Sequence, residues 1–271
     1  REKFDVYLYY FFIKNDHVAT FITESVDEDK TRIIYNDDYD RIREIIVNDA
    51  LDVLIFTSIQ DDKINQKLCY SRVAPVQVMH AWGYPISSGS KKIDYVVTMD
   101  DSRDHYCERV INFKNVTSYF YEMKLGDHNG YLKQLKDRCI DVIDGIIPKE
   151  FYNLPDGVLI GCLQSRFKFD KKLLDILFNI LDGNNECKLI INNGAVLEDE
   201  RYEIYKDQIH IVGQYSSLQF YNLQSHIDIH IDPPRWGGGI TSLEIFSVDR
   251  PMVTLRSPYL RSSLTACMLR R

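Results

Sequence analysis

The sequence predicts two α/β lobes, each built on a parallel sheet. Three observations lead there. The chain has 271 residues, more than the roughly 100 to 200 of a typical domain, so two domains of similar size are expected. Short apolar runs alternate with stretches of helical period, the order that yields parallel sheets. The alternation breaks over Asp141–Asp156, where Gly145, Pro148, Pro155 and Gly157 cluster among polar residues, and then restarts. The lobes are therefore drawn at 1–145 and 146–271.

In the first half, apolar runs mark strands over Asp5–Phe12, Val53–Thr57, Val76–Met79 and Asp94–Thr98, with helical periods over Tyr39–Asp49 and Asp61–Tyr70. After the break the expected order is strand Val158–Leu163, helix Asp170–Leu181, strand Lys188–Ile191, helix Glu198–Lys206 and strand Ile209–Val212. Helix Ser217–Gln224, strand Ile227–Ile231, helix Thr241–Val248 and strand Met252–Leu255 complete it. Two Rossmann-like lobes on a short linker are the simplest architecture. Such sheets bind ligands at the carboxyl ends of their strands, so a site in the cleft between lobes is expected.

Composition narrows the function. Hydrophobic residues make up 45% and aromatic residues 12%, which suits a globular fold and neither a disordered nor a fibrous one. A net charge of −7 leaves no basic excess to displace counterions from a phosphate backbone, so no nucleic-acid partner is expected. The six cysteines, Cys69, Cys107, Cys139, Cys162, Cys187 and Cys267, form no CxxC pair. Neither a zinc site nor a disulfide framework is suggested, and a reducing, cytoplasmic compartment is the default. No run of about 18 apolar residues suggests a membrane span, and no signal-peptide pattern is visible. The chain opens on Arg1 and runs almost directly into a strand, which leads us to expect a core cut short at both ends.

Several residues have both a chemical and a structural reading. After the strand ending at Asp232 comes Pro233-Pro234-Arg235-Trp236-Gly237-Gly238-Gly239, then a helix from about Thr241. Glycines let backbone N–H groups approach a ligand, and a helix start favours an anion such as a diphosphate; a plain turn is the alternative. Glu244 stands three residues after Thr241, the spacing of a capping box, but it also suits a carboxylate for ribose hydroxyls. Lys168, past the end of strand Val158–Leu163, fits a cation for a leaving diphosphate or an ordinary solvated lysine. Phe220 and Tyr221 sit in a helix that Ser216 and Gln219 can cap, and one ring could stack on a base or pack in the core. No Asp-x-Asp motif or His/Cys cluster suggests a metal.

The block Arg72-Val73-Ala74-Pro75-Val76-Gln77-Val78, then Trp82-Gly83-Tyr84-Pro85-Ile86-Ser87-Ser88-Gly89 and Ile93-Asp94-Tyr95-Val96, resembles the protein O-linked N-acetylglucosamine transferase and SPINDLY-type family. Members carry R-x-A-P-x-Q, G-Y/H-P-x-x-S/T-G and D-Y in this order. Gly237-Gly238-Gly239-Ile240-Thr241-Ser242-Leu243-Glu244, Pro251-Met252-Val253-Thr254-Leu255 and Tyr259-Leu260-Arg261 resemble the family's second-lobe segment, as found in bacterial stand-alone members. The resemblance is densest over Arg72–Val97 and Ile227–Cys267 and thinnest over Arg1–Ser71.

The resemblance implies a GT-B fold, here lacking the terminal helix of the second lobe, and an inverting transfer without a metal. It places Lys168 on the donor diphosphate, Thr241 and Ser242 at the phosphate-contacting helix start behind Gly237, Gly238 and Gly239, Glu244 on the ribose and Phe220 near the base. The chain departs from the animal enzymes, which have G-H-T-T where Gly238-Gly239-Ile240-Thr241 stands. The segment before Trp82 is one residue longer than expected, with His80 in or beside the extra position. His80 is a candidate general base, or a plain strand-end histidine.

The resulting expectation is a glycosyltransferase that moves a sugar, GlcNAc or glucose, from a UDP-sugar co-substrate to a hydroxyl of a protein or glycan acceptor, with no cofactor. A nucleotide-sugar-binding module without catalysis and a GT-B sugar epimerase are the alternatives.

Overall fold

The computed structural model describes residues 4–11, 22–24, 26–34, 38–59, 63–81, 86–99, 103–115 and 146–270. The chain forms two compact units. One comprises Arg1–His80, Ser88–Val96 and Cys107–Arg109, the other Ala81–Ser87, Val97–Tyr106 and Val110–Arg271.

Near the amino terminus β1 (Leu8–Tyr10) and β2 (Thr31–Ile33) pair in parallel. Helix α1 (Tyr39–Asn48) starts where the Asp38 carboxylate accepts the N–H groups of Asp40 and Arg41, and it buries Ile42 and Ile46, one turn apart. Strands β3 (Val53–Phe56), β4 (Val76–His80), β5 (Tyr95–Thr98) and β6 (Arg109–Asn112) form a four-stranded sheet in that order, with α2 (Lys63–Leu68) between β3 and β4. β3 and β4 are parallel, Val53 opposite Val76.

The second unit is built on β7 (Val158–Cys162), β8 (Cys187–Ile191), β9 (Ile209–Ile211), β10 (Ile229–Ile231) and β11 (Met252–Val253), in the order β11-β10-β7-β8-β9 with every pairing parallel. Its helices are α3 (Lys171–Leu181), α4 (Tyr202–Tyr205), α5 (Ser217–Ser225), α6 (Ile240–Ser247) and α7 (Leu260–Leu269). Successive strand residues feed opposite faces. Leu159 and Ile190 join Ile147, Tyr152, Leu218, Leu223 and Ile227 on one side, while Ile160, Cys162, Leu189 and Ile191 join Leu173, Leu177, Phe178 and Leu181 of α3 on the other. A parallel sheet buried on both faces requires this near-continuous apolar run.

The Ser216–Gln219 capping box forms at the start of α5. The expected helix over Glu198–Lys206 breaks into a 3-10 turn, Gly194–Glu198, the short α4 and a second 3-10 turn, Lys206–Gln208. Asp199 is the cause, because its carboxylate accepts the Arg201 N–H at 3.0 Å and the guanidinium at 2.8 and 2.7 Å, local bonds that compete with a helical ladder. Helix α7 and strands β2 and β6 are additional to the elements expected from sequence. Phe12, Asp61 and Asp62, Trp82–Pro85 and residues 141–145 of the expected linker lie outside the described residues.

Candidate functional site

In the second unit the chain lays down β7, adds β8 and β9 on one side, then crosses to add β10 and β11 on the other. The order reverses between β7 and β10, and the carboxyl ends of these two strands flank a topological switch point, the place where open α/β sheets take ligands. The loop after β7 carries Gln164 and the 3-10 turn Arg166–Lys168; the loop after β10 runs from Asp232 to Gly239. The two meet. Lys168 Nζ donates to Gln164 Oε1 at 2.8 Å and to the Gly237 carbonyl at 3.0 Å, across 69 residues of sequence.

The glycine loop is pinned from several sides. Buried Asp232 accepts the Gly238 N–H at 2.6 Å and the Thr254 hydroxyl at 2.7 Å. Gly237 donates to the Arg261 carbonyl at 2.8 Å, and the Ser262 hydroxyl donates to the Arg235 carbonyl at 2.6 Å, so α7 braces the loop from beneath. At Gly237 and Gly238 an added Cβ would collide with the loop's own supports. A Cβ on Gly237 would lie 2.9 Å from Asp232 Oδ2, and one on Gly238 would lie 2.2 Å from Ser242 Oγ.

Helix α6 begins directly after, with Gly239 at its N-cap and no side chain capping it. Its first N–H groups have no partner within the helix and carry the positive end of its dipole. Beside them, burial pushes the Lys168 ammonium below its ordinary pKa, with the Asp232 charge opposing, and burial pushes the Asp232 carboxyl above its own, with bonds from Thr254 and Gly238 opposing. An anion placed against Lys168 and the α6 start would favour the charged lysine and satisfy orphan donors.

The structure brings Lys168, Gly237, Gly238, Gly239 and Thr241 to this one end of the sheet. Ser242 is fully buried, and its hydroxyl pairs with Thr265 at 2.8 Å, which leaves its side chain facing the interior. The helix opens at Ile240, so Thr241 lies inside the first turn and the capping box with Glu244 does not form. Glu244 is instead bonded across to α5, where Gln224 Nε2 donates to its Oε2 at 3.1 Å, and burial raises its pKa. Phe220 packs against the core around Leu218 and Leu223. His80 closes β4 in the first unit.

Sequence reasoning passed over Gln164, Asp232, Gln224, His230 and Thr265. All are buried polar residues whose partners stand 4 to 27 residues away, at no helical or strand period that marks them, and only a polar residue inside an apolar run, as with His230 between Ile229 and Ile231, offers a local sign. Arg72, Gln77 and Asp94 brace the first unit internally. Gln77 is fully buried, its amide donating to the carbonyls of Ser71 and Lys92 at 2.9 Å each and accepting from Val73 at 2.8 Å, while Arg72 pairs with Asp94. Among the described residues no cluster of His, Cys, Asp and Glu could hold a metal ion, and no helix is long and apolar enough to cross a membrane.

An O-GlcNAc transferase mutant from Thermobaculum terrenum superposes on 98% of this chain with a TM-score of 0.75 at 18% sequence identity. This chain has the GT-B fold. It spans about half of that protein, 49% of its length. MnaA from S. aureus, solved with UDP, aligns over 90% of this chain and 70% of its own at 12% identity, with a TM-score of 0.45. No protein-family model matches the sequence, and no curated protein matches it.

Proposed function

We propose that the chain is the catalytic core of a glycosyltransferase that moves a sugar, GlcNAc or glucose, from a UDP-sugar to a hydroxyl, a protein Ser or Thr for preference, with inversion and without a metal. The observation behind this reading is the meeting of Lys168 with the glycine loop and the α6 start at the switch point. An ammonium has three N–H groups, and Gln164 and Gly237 occupy two. The third is available to a phosphate oxygen.

In the proposed reaction the acceptor oxygen attacks the anomeric carbon as the bond from that carbon to the β-phosphate oxygen breaks. UDP departs with the bonding pair, a single displacement inverts the centre, and the acceptor proton passes to a base for which His80 is the candidate. Lys168 and the α6 N–H groups take up the charge that develops on the departing diphosphate, a contribution that acts most strongly in the transition state. Glu244 accepts ribose hydroxyls.

A thermal-shift screen of UDP, GDP and their sugars tests the first half of the reading, since a ligand at about 100 times its dissociation constant stabilises by roughly 2.7 kcal/mol. Release of UDP from UDP-GlcNAc or UDP-glucose with a hydroxyl acceptor present tests the second. Stabilisation without turnover would reduce the chain to a binding module, and the absence of any nucleotide effect would remove the reading altogether.

A further inference from the structure

We infer that Gln224 is a positioning residue for Glu244, holding one carboxylate oxygen so that the other faces the nucleotide; this rests on the nucleotide-sugar reading above. Gln224 is fully buried in the last turn of α5, and its Nε2 donates to Glu244 Oε2 at 3.1 Å, joining α5 to α6. Its own Oε1 is buried and has no hydrogen-bond partner among the described residues. A buried acceptor left unpaired is destabilising, and an apolar side chain of the same length would avoid it. The amide has no better orientation, because turning it over would set its oxygen against Glu244 Oε2, acceptor to acceptor. Its donor end is therefore committed to the carboxylate.

Two further contacts tie backbone carbonyls of the two helices and do not touch the Glu244 carboxylate. One turn earlier on α5 the Tyr221 hydroxyl lies 3.0 Å from Ser247 Oγ, which donates to the Glu244 carbonyl at 2.7 Å. From β10, His230 Nε2 donates to the Gln224 carbonyl at 3.1 Å, the only role open to a ring nitrogen facing a carbonyl. Backbone and side chain at Gln224 are thus held independently. Burial raises the pKa of Glu244 and the Gln224 bond opposes that rise in part, so the bond favours the carboxylate form that accepts from ribose hydroxyls.

The test compares UDP with 2′,3′-dideoxy-UDP by calorimetric titration of the chain, Gln224→Met and Tyr221→Phe. The unsubstituted chain is expected to prefer UDP by about tenfold or more, the value of a charge-assisted bond. In Gln224→Met that preference falls to near unity while the affinity for inorganic pyrophosphate holds, and Tyr221→Phe keeps it. Should Gln224→Met fail to fold, Gln224→Leu, apolar and without a donor, is expected to lose the preference in the same way. A preference retained in the Gln224 variants, or lost equally in Tyr221→Phe, overturns the proposal alone. No binding of UDP by the unsubstituted chain overturns the nucleotide reading and this proposal with it.

Discussion

Lys168 and Asp232 show how individual residues set the chemistry at the switch point. Each is pushed toward its neutral form by burial and pulled back by the other's charge, so an added anion tips the pair toward the charged lysine. Glu244 gives a sharper test. With the capping role excluded by the position of Gly239, Glu244→Gln should lower UDP affinity about tenfold or more, since the amide accepts at one oxygen only and a charge-assisted bond is weakened. The melting temperature without ligand should change little, because the substitution removes a half-buried charge; an unchanged UDP isotherm would take Glu244 out of the site. His230 carries a separate prediction. Burial lowers its pKa from the ordinary 6.5 to about 4, so between those values the unfolded chain binds the extra proton. That stability is present above pH 6.5 and is lost as pH falls toward 4, by about 3 kcal/mol. Chemical denaturation of the chain and of His230→Gln from pH 7 to pH 4 measures it, and parallel pH slopes would contradict it.

At the scale of elements, the loop from Asp232 to Gly239 and the helices α6 and α7 act as one assembly. Gly238→Ala should destabilise by about 1 to 3 kcal/mol through overpacking, because the new Cβ would meet Ser242 Oγ, itself tied to Thr265 on α7. A melting temperature equal to that of the unsubstituted chain would show that the loop yields. The same assembly shows what the sequence could reveal. β7 and β8 were legible as near-continuous apolar runs buried on both faces, and α3 by its period of about 3.6. Helix α7 was not, since it buries Ser262, Ser263 and Thr265 alongside Leu264 and Met268. Its inner face is paired by hydroxyls to Arg235, Ser257 and Ser242, and no apolar stripe marks it. The Thr241–Glu244 spacing makes no capping box for a related reason: such a box needs the hydroxyl at the N-cap, and the glycine before Ile240 takes that place. Lys168 and the three glycines were visible as motifs, whereas Asp232 and Gln224 act through partners 6 and 20 residues away, which no local pattern announces.

For the whole molecule, the reversal of strand order between β7 and β10 explains why residues 69 positions apart in sequence share one hydrogen bond. The fold supplies the place, and a few polar residues at the carboxyl ends of two strands supply the chemistry. In the first unit Gln77 and Asp94 belong to the frame, bonded to each other and to their own surroundings. The most direct test of the central claim is a crystal structure of the chain with UDP. The account predicts the diphosphate within hydrogen-bond reach of Lys168 Nζ and the first N–H groups of α6, with the ribose hydroxyls on Glu244. A nucleotide bound elsewhere, or bound with Lys168 still donating only to Gln164 and Gly237, would contradict it.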